Sequence, residues 1–408
     1  MRVAYRELTG TSGRYWLLAG ALASVVLLGL LAAHTMETKG HVATGMTNEI
    51  VWGLPHVFAV FLIVAASGAL NIASIASVFG RPAYKPLAPL SGLLAVALLA
   101  GGLAVLVLDL GRPERLVVAL THYNARSIFA WNVFLYTGFA LVVAAYLWVL
   151  LERRMNVHAR RAGLVAFAWR IVLTTGTGSI FGFLVARETY DTALLPPLFI
   201  ALSLAYGLAV FLLVLVAVFR ATRRPLAPQL LARLARLLAI FVVAALYFVA
   251  VLHLANAYVA QRRDVEAFVL FDGGIHTALF WGGQIVLGSL VPLALLLHAP
   301  LAQSIRGVTL AASLVVAGGL AQMYVTIVGG QAFPLVLFPG ATVTSSFRDG
   351  VVHPYTPGMN EVLLALGGCA FAALIVLFAV KLMPFVPERL EEVPQDERIP
   401  AAPLPAAS

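Results

Sequence analysis

The chain has 408 residues, of which 61% are apolar and 11% charged, with a formal net charge of +9. Soluble globular chains carry roughly 45–50% apolar and ~25% charged residues, so the charge here is too sparse to cover a soluble surface of this size. Disordered, disulfide-scaffold and nucleic-acid-binding classes fall away on the same figures, which leaves a polytopic membrane protein.

A hydrocarbon core of ~30 Å takes ~20 apolar residues in a helix. Only helices or closed barrels satisfy the backbone inside it. The apolar runs are continuous rather than alternating in tens, so the expected fold is all-α. Ten transmembrane helices are predicted, at roughly 15–33, 51–79, 87–109, 128–151, 163–186, 193–219, 237–260, 276–297, 304–328 and 361–383. The first run exceeds the ~7–15 apolar residues of a signal peptide and reads as an uncleaved helix.

Loop charges orient the spans. With the N-terminus inside, inner segments hold 18 Lys and Arg against 8 outside, and Arg170 falls within a span. The positive-inside bias then predicts both termini in the cytoplasm. Eleven of the 18 carboxylates and seven of the nine histidines fall at or near the outer side. Two readings of that asymmetry stand: ordinary solvated loops, or an outward-facing redox and proton-exchange site beneath a partner.

Residues 1–383 read as one transmembrane domain. Positions 329–360 are expected to form an ordered outer cap, given Phe333, Phe338, Phe347 and Tyr355. From Pro384 onward, six prolines and five acids in 25 residues predict a disordered tail.

Polar groups within the spans are the functional candidates. His56, Ser67, Asn71 and Ser74 lie within about 60° of one another on a helical wheel, and the stripe runs ~27 Å. It reads either as a proton or water path or as close helix packing with hydroxyls bonded to their own backbone. Asp109 ends span three with Arg112 and Arg115 nearby, as a surface cluster or as a partly buried proton acceptor. Arg170, with Thr174 and Thr177 on its face, either snorkels to the cytoplasmic surface or lines a hydrated half-channel. Trp52, Trp131, Trp148, Trp281, Tyr136 and Tyr146 fit an interfacial aromatic belt.

The single Cys369 is too few for an iron–sulfur cluster, and no C-x-x-C-H motif is present for covalent haem. Haem b would need facing histidine pairs, which His56, His253, His276 and His298 do not supply as repeats. Electrons, if any, must therefore come from another protein or a diffusible carrier.

Three motifs carry a family resemblance: Trp52-Gly53-Leu54-Pro55-His56, Asp109-Leu110-Gly111-Arg112-Pro113, and Phe280-Trp281-Gly282-Gly283-Gln284 leading to Gly288 and Pro292-Leu293. Tyr324 through Gly330-Gln331 and Tyr355-Thr356-Pro357 before Glu361 add to them. The chain resembles the NrfD/polysulfide-reductase membrane subunits, and within them the DsrP branch of the Dsr complex of dissimilatory sulfur metabolism. The resemblance implies two four-helix bundles plus flanking helices in a bacterial cytoplasmic membrane. It also implies a menaquinone- or ubiquinone-interacting anchor with no haem or iron–sulfur cluster of its own. An extracytoplasmic iron–sulfur subunit, a multihaem cytochrome c and further Dsr-type subunits are the implied partners. Carried over by motif, His56 hydrogen-bonds a quinone oxygen beside Trp52, Asp109 exchanges its proton, and Arg112 tunes the acid. A tyrosine-threonine-glycine motif of relatives stands here as Thr174-Thr175-Gly176, without the phenol, and Met323 replaces an arginine common before the span-nine tyrosine. An ion pathway and a purely structural anchor remain the alternatives.

Overall fold

The computed structural model describes residues 5–7, 12–336, 350–388 and 390. Among them are ten helices long and apolar enough to cross a membrane: α1 Gly13–Lys39, α2 Leu54–Ser77, α3 Pro82–Leu108, α4 Ile128–Leu151, α5 Arg153–Gly182, α6 Leu195–Ala221, α7 Pro228–Tyr258, α8 Ile275–Leu297, α9 Ile305–Ala332 and α10 Met359–Leu382. No strand longer than an isolated bridge occurs among the described residues. The chain is an all-α, multi-pass integral membrane protein. The predicted spans correspond one to one, and α9 runs four residues further than its apolar run because Gly329–Ala332 stay helical.

The helices pack in sequence. α2 lies on α3, α3 on α4, α4 on α5, and α5 returns to α2. The same circuit repeats through α6, α7, α8 and α9, with α6 packed on α2 and α5. α1 and α10 pair on the outside, and α10 also lies against α3 and α2. Because lipid is as apolar as leucine, such crossings depend on close backbone approach at small residues. At the α2–α6 crossing a Cβ on Gly68 would overlap the Ser203 carbonyl, and one on Gly207 would overlap the Gly68 backbone.

Two irregularities shape the interior. α2 breaks at Leu70, where Ala73 N donates to Ser91 Oγ (3.1 Å) and Ser91 Oγ donates to Ala69 O (2.7 Å). A side chain from α3 is thus inserted into the hydrogen-bond ladder, a recognised cause of a helix kink. α8 runs as wide π-helical turns from Leu279 to Leu290, a geometry that often accompanies function.

Both ends of the described chain meet. Tyr5 bridges Pro387, Arg6 N donates to Val386 O (3.2 Å), and Phe385 and Val386 are buried. The segment after Pro384 is therefore packed through Glu388, while 389 and 391–408 lie outside the described residues, as do Phe338 and Phe347 of the expected cap. Trp131, Trp148 and Trp281 are exposed, as a belt requires. Tyr136 and Tyr146 are not belt residues. Both are buried, and the Tyr146 hydroxyl donates to Ala73 O (3.1 Å) beside the α2 break.

Candidate functional site

The entry to α2 is fixed by side chains from distant parts of the chain. Pro55 in the first turn has no amide to leave unpaired. Gln331 Oε1 accepts from Val51 N and Trp52 N (3.0 Å each), and its Nε2 donates to Trp52 O (3.0 Å) and Ile327 O (2.8 Å). Arg187 donates to Gln331 O (3.2 Å) and Glu49 O (2.7 Å). Leu54 N donates to the Tyr355 hydroxyl (2.6 Å), which in turn donates to Glu361 Oε1. The other Glu361 oxygen accepts from Gly45 N (2.7 Å) and Gly358 N (2.6 Å). Glu361 is fully buried and satisfied by neutral donors. Burial, together with Glu361, pushes the Tyr355 phenol well above its ordinary value, so the hydroxyl stays protonated as a donor. A side chain at Gly53 would collide with Glu361 and Tyr355. The whole clamp holds Trp52 and His56 at one end of α2.

Asp109 closes α3 at the same end. Its amide continues the helix to Val105 O (2.9 Å), and the chain then turns through Gly111 at φ +70°. The carboxylate is 1% exposed and its Oδ2 lies 2.7 Å from His56 Nδ1, with the imidazole 17% exposed. The approach is off the line of a ring N–H hydrogen bond, and Asp109 Oδ1 meets no donor among the described residues. Loose alignment of this kind tightens in catalytic pairs when the reactant arrives. Arg112 is exposed and forms no ion pair with Asp109. The arginine expected to tune the acid does not touch it in this structure.

Aromatic rings frame the pair. Trp52 stacks near His56 (centroids 6.0 Å, planes 26° apart) and meets Phe129 (6.0 Å) and Phe181 (5.7 Å). With Asp109 on Nδ1, the other imidazole nitrogen is directed away from the acid. The result is a half-buried cluster of aromatic rings around one imidazole nitrogen and one carboxylate oxygen without a donor among the described residues. Those groups suit a planar carbonyl or hydroxyl compound that exchanges protons.

The polar stripe divides. Thr174 Oγ1 donates to Ser67 Oγ (2.5 Å), Ser67 Oγ to Arg170 O (3.1 Å), and Arg170 Nη1 back to Ser67 O (3.1 Å). Arg170 is 2% exposed and lies over the Phe167 ring (5.2 Å). It does not snorkel. The guanidinium is held inside by the α2 backbone, and its Nε meets no acceptor among the described residues. Thr177 and Ser74 bond to their own helices, at Leu173 O (3.0 Å) and Leu70 O (3.1 Å), and Asn71 is buried between the helices. Ser67, Thr174 and Arg170 are therefore linked, whereas Ser74 and Thr177 follow the packing reading.

A second imidazole–carboxylate pair lies in the other helix group. His253 Nδ1 is 2.7 Å from Glu266 Oε2, and Asn256 Nδ2 donates to Glu266 Oε1 (2.9 Å). Arg262 joins it, donating to Asn256 Oδ1 (3.2 Å) and to the Asp191 carbonyl. Unlike Asp109, this acid has both oxygens engaged.

The family model described as polysulphide reductase, NrfD, matches residues 42–335, which includes His56, Asp109 and Arg170. The chain belongs to the NrfD family. A protein of Archaeoglobus fulgidus named as an Hdr-like menaquinol oxidoreductase integral membrane subunit is 30% identical over 97% of this chain and 100% of its own length. A putative dimethyl sulfoxide reductase membrane subunit of Halobacterium salinarum is 26% identical over 92% of both proteins. A polysulfide reductase component of Wolinella succinogenes is 26% identical over 70% of this chain and 96% of its own length. The A. fulgidus and H. salinarum relatives are named as membrane subunits of oxidoreductases.

The structure brings Trp52, His56 and Asp109 to one place. Gln331 and Arg187, which support Trp52, and Glu361, which anchors Tyr355, have no such role in the sequence reading. The signals for them were the motifs Gly330-Gln331 and Tyr355-Thr356-Pro357 ahead of Glu361, and Arg187 had none. His253 and Glu266 are each visible as titratable groups at the outer side, but nothing in their spacing pairs them.

Proposed function

We propose that this NrfD-family subunit exchanges electrons and protons between a membrane quinone and an iron–sulfur partner docked at the His56 end of the bundle. The carrying observation is the buried Asp109 carboxylate, with one oxygen at 2.7 Å from His56 and the other without a donor among the described residues. A bound quinol supplies two electrons and two protons. His56 holds or releases a proton at its outward ring nitrogen, Asp109 at Oδ1, and Trp52 with Phe129 and Phe181 orients a flat head group and excludes water. Removing electrons from a weak acid such as a quinol requires adjacent bases. Of the two imidazole–carboxylate pairs among the described residues, this is the one with an oxygen to spare. The menaquinol named in the A. fulgidus relative supports the same class of carrier. The branch is the Dsr-type one, with a multihaem cytochrome c and further Dsr subunits in the complex, and the location is the cytoplasmic membrane with both termini inside.

A second reading, proton conduction, draws on the Ser67–Thr174–Arg170 link, about 16 Å along α2 from His56. It would carry the Asp109 proton inward along α2 and α5.

Asp109→Asn keeps the shape and removes the proton acceptor. Quinol-linked turnover of the complex should be abolished while co-purification of its subunits is unchanged. Full turnover in that variant would dismiss the assignment.

A further inference from the structure

A large cavity lies away from His56. It has a volume of about 1270 Å³ and lies at the end of the molecule where the two ends of the described chain meet. α6 and α10 do not pack along their lengths at this end, although each packs on α2. Val214 and Ala217 form one wall, Val376 and Val380 the other, and Phe61 with Leu98 closes the deep end. Along α10 the lining reaches from Val380 back to Cys369, about 16 Å at 1.5 Å per residue. The cleft is apolar, membrane-deep and larger than the ~300–1,000 Å³ of ordinary small-molecule sites.

Its mouth is cationic. Arg6, Arg14, Arg220, Arg223 and Arg224 line it, with only Glu7 and Glu388 as acids. Glu388 is taken by Arg6 (3.4 Å), and Arg224 is tied to the carbonyls of Val386 (3.3 Å) and Pro387 (2.9 Å). Arg14, Arg220 and Arg223 are exposed and have no acidic partner among the described residues. Two further cavities, of about 280 and 510 Å³, open around the same place, and Arg220 lines all three. One cation cluster thus stands at the meeting point of several apolar clefts.

We propose that this cleft is a specific site for an anionic glycerophospholipid, with acyl chains between α6 and α10 and the phosphate on Arg220, Arg223 and Arg14. Basic pockets between transmembrane helices recognise such headgroups, and guanidinium groups suit phosphate. A quinone has no anionic group for the arginines. The protein's own residues 391–408 carry acids, but among their eighteen residues the large aliphatic side chains are only Val393, Ile399 and Leu404, too few to fill the deep end. The proposal is independent of the His56 site, since it rests on the opposite end of the molecule.

The full-length protein is purified in mild detergent from nanodiscs of equal phosphatidylglycerol and phosphatidylcholine, and its retained lipid is read by native mass spectrometry. Phosphatidylglycerol should be retained at least tenfold over phosphatidylcholine. The R220Q/R223Q pair should lower that retention at least tenfold, and Ala217→Trp, which obstructs the α6 wall of the cleft with the arginines intact, should do the same. Both variants are surface or lipid-facing changes, and unchanged thermal unfolding verifies their fold. Equal retention of the two lipids, or wild-type retention in both variants, would overturn the proposal. So would quinone in place of phospholipid, or a cleft that takes lipid only after residues 391–408 are removed.

Discussion

His56 and Asp109 come from different helices, and each is placed by a local device: the Pro55 first turn for one, the Gly111 turn for the other. A histidine at an apolar helix end is more often a packed or solvated group than a catalytic one. What distinguishes His56 is that its partner acid is almost fully enclosed and still has an oxygen to spare. Replacing His56 by Gln keeps a polar group of similar reach but removes the titratable nitrogen. We expect quinol-linked turnover to fall by ~10²–10⁴, the usual worth of a positioned acid–base group, with subunit assembly unaffected. A steady-state quinol assay on membranes checks it, and a loss smaller than tenfold would reassign His56 to structure. Both residues were legible in the sequence through the family resemblance, because the motifs that carry it there are local and compact. Their supports were not, because Val51 meets Gln331 across 280 positions and Leu54 meets Tyr355 across 301. A single sequence holds no trace of contacts at such separation.

At the scale of whole elements, hydropathy located all ten spans because lipid tolerates no other backbone solution. Interruptions within them were illegible. Nothing in Gly68-Ala69-Leu70-Asn71 marks a break; the cause is Ser91 on the next helix, fully buried with its hydroxyl between Ala69 O and Ala73 N. The setting of Arg170 is hidden for a related reason. In its predicted span, 163–186, it is a cation seven residues from an end and free to snorkel, but the acceptor that holds it, Ser67 O, belongs to α2. Ser91→Ala would leave two backbone groups of the α2 break unpaired. We expect a loss of about 1–2 kcal/mol in stability, seen as a lower thermal midpoint in detergent, with the His56–Asp109 contact and turnover reduced only in proportion. An unchanged midpoint would mean that α2 closes its ladder without the serine.

For the molecule as a whole, the two ends have opposite characters. One carries His56, Asp109, Glu361 and the clamp around Trp52, and the other gathers the arginines and both ends of the described chain. The proposed chemistry requires the first end to face the partner outside the cell, an orientation that rests on the distribution of Lys and Arg between loops. That distribution is directly testable because the sequence has one cysteine, Cys369. In a Cys369→Ala background, single cysteines replace Lys39, at the exposed end of α1 on the His56 side, and Arg153, exposed at the start of α5 on the other. A membrane-impermeant maleimide applied to intact spheroplasts should label Lys39→Cys at once and Arg153→Cys only after permeabilisation, by at least a tenfold ratio. The reverse pattern would put Asp109 on the cytoplasmic face. Its protons would then be exchanged with the cell interior, and the iron–sulfur partner would have to dock from the cytoplasm.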